Sequence, residues 1–386
     1  MEPEFKDFSL RLVQPSYDSA LTDIVIELER LRSPRRLKSR VHPFIFAQLK
    51  GIFHTLESLG SVRIEGNNTE LSEVVERTID GTLKSSQEEK IKEFINNQDA
   101  LGFIDSEIKE GYKIDRKLIS ELQKMTVAKL DPSQEGDLTP GQYRNVEVTI
   151  NKSSHKPPLC VQVSGYMDEM IDFINAERTQ KDKMLAIAIA HHRFTWVHPY
   201  RNGNGRTVRL LTYAMLMSNG FAVDHILNPT AVFCNDRDVY YKMLAEADTG
   251  TDTGLLVWSQ YVLENLLSEI KKIDKLLDYD FLVPRILIPA LDYSLERKTI
   301  NEKEYKVLKL AVESEKMEVK AADINKILQK KHSPQVSEFI RKLKEGQMFM
   351  EIPNNKRHYT VYFANNYLLR GVINSLKQEG FLKALD

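Results

Sequence analysis

The sequence predicts a mostly α-helical protein whose helical core carries one β-hairpin flap, followed by a C-terminal winged helix-turn-helix of α+β type. Three observations carry that prediction. Residues 184–197 and 206–217 are long, mainly apolar runs without Gly or Pro, as in buried helices. Residues 302–314, 321–331 and 334–345 space their apolar side chains by three and four. In the otherwise helical first part, 145–150 alternates apolar and polar residues with a strand's period of two.

Along the chain, residues 43–59 place Ile45, Leu49, Phe53, Leu56 and Leu59 at helical spacing. The run Ser61-Val62-Arg63-Ile64-Glu65-Gly66 follows. Taken alone, Ser and Glu four apart and then Gly make an ordinary helix end. In the flap, Val146, Val148 and Ile150 alternate against polar neighbours, residues 151–154 supply a turn, and Pro157-Pro158 closes the segment.

The densest chemistry lies in His198-Pro199-Tyr200-Arg201-Asn202-Gly203-Asn204-Gly205-Arg206, with Arg209 three residues on. Pro199 pushes the residue before it out of the α region, so the helix ends at His198. Gly203 and Gly205 permit positive φ, which lets successive backbone N–H groups converge on an anion. The chain re-enters a helix at about Arg206, whose N-terminus adds partial positive charge. Arg206 and Arg209 then share one face, and planar guanidinium groups suit phosphate oxygens. The set reads as a triphosphate cradle with a general base at its mouth, and so as an enzyme. A P-loop is excluded because no Gly-Lys-Ser/Thr follows the glycines. A dinucleotide fold is disfavoured because a helix, not a strand, precedes the loop.

Downstream, a helix over 255–277 gives way to Asp278-Tyr279-Asp280 and Pro284, a domain boundary. Three helices are followed by 348–352 and 358–363, which flank the turn Pro353-Asn354-Asn355. That order reads as a winged helix-turn-helix. Its third helix begins at Ser333-Pro334 and carries Arg341, Lys342 and Lys344 beside Glu338 and Glu345. From residue 301 on there are 16 Lys plus Arg against 11 Asp plus Glu, a modest excess for a nucleic-acid binder. DNA, protein and a second copy of the chain all stay open as its partner. The domains expected are 1–70, 71–280 and 285–386.

Composition bounds the remaining classes. A net charge of -1 over 386 residues gives no general attraction to nucleic acid or anionic membrane. The acidic start MEPEFKDFSL lacks the design of a signal peptide, and no apolar run approaches the roughly 20 residues that span a bilayer. Cys160 and Cys234 are expected as buried thiols, not as a disulfide. A soluble, cytoplasmic protein is expected.

HPYRNGNGRTVR resembles the signature of Fic-domain proteins, H-P-F-x-[D/E/N]-G-N-G-R-x-x-R, and the likeness extends across roughly residues 40–270. These proteins mostly transfer AMP from ATP to a hydroxyl side chain of a target protein. The resemblance implies attack of a Ser, Thr or Tyr hydroxyl on the α-phosphate, with His198 as general base. Gly203, Asn204 and Gly205 would hold the α- and β-phosphates, Asn204 through its side chain. Arg206 would neutralise the β-phosphate and Arg209 the γ-phosphate. Asn202 stands where many members carry an acidic Mg²⁺ ligand, and Tyr200 replaces the usual Phe.

The same resemblance gives other segments roles. Ser61, Glu65 and Gly66 fit the inhibitory signature [S/T]-x-x-x-E-[G/N], in which Glu65 would pair with Arg209 and hold ATP in an unproductive pose. Residues 145–151 would bind a target's backbone by β-augmentation. The stretch 235–244 resembles a helix whose Tyr240 and Tyr241 lie near the adenine. Self-modification and homodimer formation stay open. Two rival functions share the sequence: removal of AMP from a modified protein at the same site, and a DNA-binding regulator that senses nucleotide.

Overall fold

Helical signals in the sequence become helices at nearly every expected place. The computed structural model describes residues 4–32, 41–150, 153–221, 229–234, 236–328, 333–352 and 355–382. The chain forms two compact units, Met1–Pro34 with His54–Thr69 and Ser86–Lys271 in one, and Arg35–Phe53 with Glu70–Ser85 and Lys272–Asp386 in the other.

The first unit is built on the helices Gln180–Val197 and Asn204–Ser218, which pack on each other. Every residue from Met184 to Phe194 is buried, as expected for a helix that is apolar on all sides. Trp258 lies against that helix and donates from Nε1 to Ala188 O at 2.6 Å. The helices Glu89–Glu107, Arg116–Thr126 and Val163–Asn175 flank this pair. Local capping fixes where several helices begin. Asp115 accepts from Leu118 N at 2.8 Å and starts Arg116–Thr126, and Asp236 accepts from Val239 N at 3.0 Å and starts Arg237–Ala247. Such a cap stabilises by about 1 kcal/mol.

In the second unit the helix Glu302–Glu313 opens with a capping box. Asn301 Oδ1 accepts from Lys303 N and Glu304 N, while Glu304 Oε2 accepts from Asn301 N at 2.8 Å. Strand β1 (Val319–Lys320), helices Ala321–Leu328 and Ser333–Glu345, and strands β2 (Phe349–Ile352) and β3 (Asn355–Val361) follow. The sheet is antiparallel in the order β1-β3-β2, with Phe349 opposite Val361 and Val319 opposite Tyr359. Residues 329–331 of the expected second helix, and Pro353 and Asn354 of the expected turn, lie outside the described residues.

The compact units differ from the linear division into 1–70, 71–280 and 285–386. Segments near the N-terminus join the C-terminal unit because their partners are there. Gln48 donates from Nε2 to Val361 O at 3.0 Å and accepts from Phe363 N at 2.6 Å. Phe53 meets the ring of Phe381 edge-on, and Glu76 accepts from Arg370 Nε at 2.7 Å.

The flap departs from its expectation. Residues 145–150 lie in no strand, although their apolar alternation predicts one. A two-stranded hairpin without a face to pack on is marginal, and strand propensity alone does not supply a partner. A single parallel bridge between Glu4 and His155 forms just downstream. Asn151 and Lys152 of the expected turn lie outside the described residues. Among the described residues, no helix is long and apolar enough to cross a membrane.

Candidate active site

The site begins where the helix Gln180–Val197 stops. His198 adopts φ 49 and ψ 61, a left-handed conformation directly before Pro199, and donates its N–H to Phe194 O at 2.9 Å. A non-glycine residue there costs roughly 1–2 kcal/mol, so its surroundings must hold it. Arg144 does so, donating from Nε to His198 O at 2.9 Å and from its backbone N to Pro199 O at 2.8 Å. Burial lowers the His198 pKa to about 4, with the charge of Arg144 acting in the same direction and Glu65 opposing. At neutral pH the imidazole is therefore uncharged and able to accept a proton.

The loop that follows is tied by Asn204. Its Oδ1 accepts from Tyr200 N at 2.9 Å and its Nδ2 donates to Tyr200 O at 2.8 Å. The Asn204 side chain, expected to bind phosphate directly, also closes the loop; the bond to Tyr200 O takes one of the two Nδ2 hydrogens. Tyr200 is fully buried, 5.6 Å from the ring of Tyr143. Gly203 has φ 78, and a Cβ there would come within 2.9 Å of Val127 Cγ1. Asn202 donates from Nδ2 to Gly136 O at 2.6 Å and to Gln134 O at 3.2 Å, which leaves its amide oxygen as the atom with acceptor capacity.

Both arginines of the helix Asn204–Ser218 are buried and ion-paired. Arg206 Nη1 stands 2.9 Å from Glu93 Oε1, and its Nη2 stands 2.7 Å from Glu135 Oε2. Burial raises the Glu93 pKa above the ordinary carboxylate range, with Arg206 opposing. Arg209 donates from Nε to Ser61 Oγ at 2.9 Å, and from Nη2 to Ser61 O at 2.9 Å and Glu65 Oε1 at 2.7 Å. Gly66, with φ 103, follows at the end of the helix Pro43–Ile64. Burial acts to raise the Glu65 pKa, but Arg209 and Arg206 overcome it and leave it lowered, so the group is ionised at neutral pH. Its carboxylate lies against Gly205, where a Cβ would overlap Oε1. An anion already sits at the N-terminus of the motif helix.

Glu65, Glu135, His198, Asn202 to Arg206 and Arg209 line a cavity of about 550 Å³ that also takes in Tyr240, Tyr241 and Asp248. Tyr240 is buried, its hydroxyl 3.0 Å from His191 Nε2, whereas Tyr241 is exposed. Asp248 is held by His192 Nε2 at 2.9 Å. Asn235 lies outside the described residues. His198, Asn202 to Arg206, Arg209, Glu65, Tyr240 and Tyr241 are all brought to this one cavity, and Ser61 meets it through Arg209.

Sequence reasoning missed the supporting groups. Glu93, Glu135, Arg144 and Arg237 are single charged residues, outside the motif or far from it, without local spacing to mark them. For Glu93 and Glu135 the signal is the need of the buried Arg206 for partners. Arg144 holds backbone carbonyls of the catalytic turn and Arg237 lines the cavity, and neither role has a local pattern.

Residues 113–216 match the Fic/DOC family. The protein adenylyltransferase fic-1 of Caenorhabditis briggsae is 30% identical over 205 residues, covering 52% of this chain and 36% of that protein. The protein adenylyltransferase Fic of Nematostella vectensis is 29% identical over 192 residues, covering 48% of this chain and 42% of that one. The matches thus span less than half the length of either relative. In fold, a Fic family protein from Desulfovibrio desulfuricans G20 aligns with a TM-score of 0.56 at 19% identity, over 90% of this chain and 98% of that chain. The matched residues 113–216 contain His198, the Gly-Asn-Gly turn and both motif arginines, and over them the chain carries a domain of the Fic/DOC family.

Proposed function

We propose that this chain transfers AMP from ATP to a Ser, Thr or Tyr hydroxyl of a protein and is held back by its own Glu65. The observation that carries the reading is the Glu65 carboxylate seated between Arg209 and Gly205, beside an uncharged His198. A site that holds a carboxylate on a buried arginine at a helix N-terminus is built for anionic oxygens. In the reaction the target oxygen bonds to the α-phosphorus as the bond to the bridging oxygen breaks. His198 accepts the hydroxyl proton, and pyrophosphate leaves. The backbone N–H groups at Gly203 to Gly205 and the two guanidinium groups stabilise the charge that develops.

Mg²⁺ fits this site in a limited way. Among the described residues no group of three or more His, Cys, Asp or Glu is placed to hold a metal. The free acceptor of Asn202 is one neutral oxygen, which suits an ion whose other ligands are phosphate oxygens and water. Asn202 would hold the ion, and the ion would neutralise phosphate charge.

The target is read as a chain that lies along 145–150, where Asn145, Val146, Glu147 and Thr149 are exposed. Cys160 and Cys234 are free and half-buried, which suits a reducing cytoplasm. Residues 302–361 are read as a winged helix. Its third helix has Arg341 paired with Glu338 and Glu345, and Lys344 with Glu351, which favours a protein partner over DNA.

Incubation with ATP labelled at the α-phosphate tests the reaction. Label is expected on protein, more with Glu65→Gly than with the wild type; no label with either form ends the reading. A second reading, removal of AMP with Glu65 positioning water, is favoured by the same ionised carboxylate facing the cavity. In that case Glu65→Gly would lose hydrolysis of an AMP-modified protein.

A further inference from the structure

We propose that Arg144 is a positioning residue that locks the backbone of His198 to both ends of the target-docking segment, so that the base is aimed only when that segment is in place. Arg144 is buried, at 2% exposure, and precedes the flap directly. Its guanidinium serves two sides at once. On the catalytic turn, Nε donates to His198 O at 2.9 Å and Nη2 reaches Val197 O at 3.5 Å. On the flap, Nη1 donates to Val146 O at 3.1 Å and Nη2 to Pro158 O at 2.6 Å. The backbone N of Arg144 closes the set on Pro199 O at 2.8 Å.

A guanidinium is a rigid planar fork of five N–H donors, and an ammonium is a point donor on a flexible stem. Only the fork reaches carbonyls on two separate segments in fixed directions. His198 needs such an anchor, because its left-handed backbone before a proline is not self-supporting. Turning the His198 peptide would turn the imidazole with it. A second tie runs beside the first, from Arg201 Nη2 to Asn145 Oδ1 at 2.6 Å.

The groups that act on the His198 ring charge are Arg144 and His155 on one side and Glu65 on the other, with a backbone hydrogen bond at Thr195. Arg144 is the leading charged group among those that keep the ring unprotonated. Removing its charge therefore moves the titration of His198 upwards, and since loss of burial would do the same, the charge-keeping Arg144→Lys is the control that separates the two.

The inference rests on the proposed transfer reaction for its kinetic arm and on NMR for the other. In a full-length Glu65→Gly background, Arg144→Gln is expected to lower kcat roughly a hundredfold with KM for ATP within about threefold, the loss typical of a misaimed catalytic group. The His198 resonance, assigned by its absence in His198→Ala, should titrate higher in Arg144→Gln than in the parent. Arg144→Lys keeps the charge without the fork, so His198 should still titrate low while kcat stays down at least about tenfold. Lysine restoring kcat to within about twofold of the parent would overturn the role of the fork. Loss of kcat in Arg144→Gln with an unmoved His198 titration would reduce Arg144 to packing and end the inference. Should Arg144→Gln not fold, Arg144→Lys decides alone, since it removes the fork at constant charge: kcat within about twofold of the parent refutes the proposal. If the parent transfers no AMP, the reaction is wrong, while the His198 titrations still judge Arg144.

Discussion

Glu65 Oε1 stands 2.7 Å from Arg209 Nη2 and packs against Gly205, so two residues 144 positions apart in sequence share one anion seat. Ser61 fixes the same guanidinium from the other side, through Oγ and its carbonyl at 2.9 Å each. Arg209 therefore keeps two of these three hydrogen bonds, both to Ser61, when Glu65 is removed. The cation is thus held by Ser61 independently of Glu65.

That asymmetry gives the first prediction. Glu65→Gly should raise self-AMPylation by roughly tenfold or more, a change of about 1.4 kcal/mol in barrier. Arg209→Ala should not activate, since it removes the productive phosphate contact together with the inhibitory one. The double variant should behave as Arg209→Ala. Label from α-labelled ATP at saturating concentration measures all three. A wild-type rate in Glu65→Gly would reduce 61–66 to a helix end.

His198→Ala should abolish transfer while ATP affinity stays within a fewfold, because a general base typically contributes about 10²–10⁴ in rate and holds no phosphate. Rates measured beside ATP binding by calorimetry check it.

The lowered His198 pKa also makes a stability statement. The folded value is about 4 against an ordinary 6.5, so between these values the unfolded chain binds more protons. The contribution of His198 is fully present above about pH 6.5 and is lost as pH falls towards about 4. Denaturation midpoints of the wild type should therefore fall more steeply across that window than those of His198→Asn, as urea titrations at stepped pH would show.

At Asn202 two effects compete. Asn202→Asp should lower the Mg²⁺ concentration for half-saturation, since a carboxylate replaces a neutral oxygen. It should also lower Tm, because the donors to Gly136 O and Gln134 O disappear and each such bond contributes about 1 kcal/mol. A magnesium titration showing no difference between the two forms would remove Asn202 from the metal shell.

The paired charges on the helix Ser333–Glu345 predict weak DNA binding. Arg341 is held by Glu338 at 2.7 Å and Glu345 at 2.6 Å, so little positive field is left for phosphate. The full chain should not shift duplex DNA at about physiological salt, where phosphate contacts are screened, and Glu338→Gln with Glu345→Gln should strengthen binding. A tight, salt-sensitive shift by the wild type would restore the DNA-binding regulator.

What the sequence determined by itself was local. The helix ending at His198, the positive φ at Gly203 and the three-residue spacing of Arg206 and Arg209 follow from Pro199, from glycine and from helical periodicity. The capping box at Asn301 and the order of elements after it are read the same way. Apart from Glu65 and Arg209, whose pairing the resemblance implied, tertiary structure decided which charges meet. Arg206 is buried between Glu93 and Glu135, and His198 is anchored by Arg144, 54 positions away; no local pattern encodes either pairing. It also removed the strand expected at 145–150, since a period of two supplies a face but not a partner strand. Backbone preference acts within a few residues, whereas a buried charge takes its partner from whatever segment the core brings beside it.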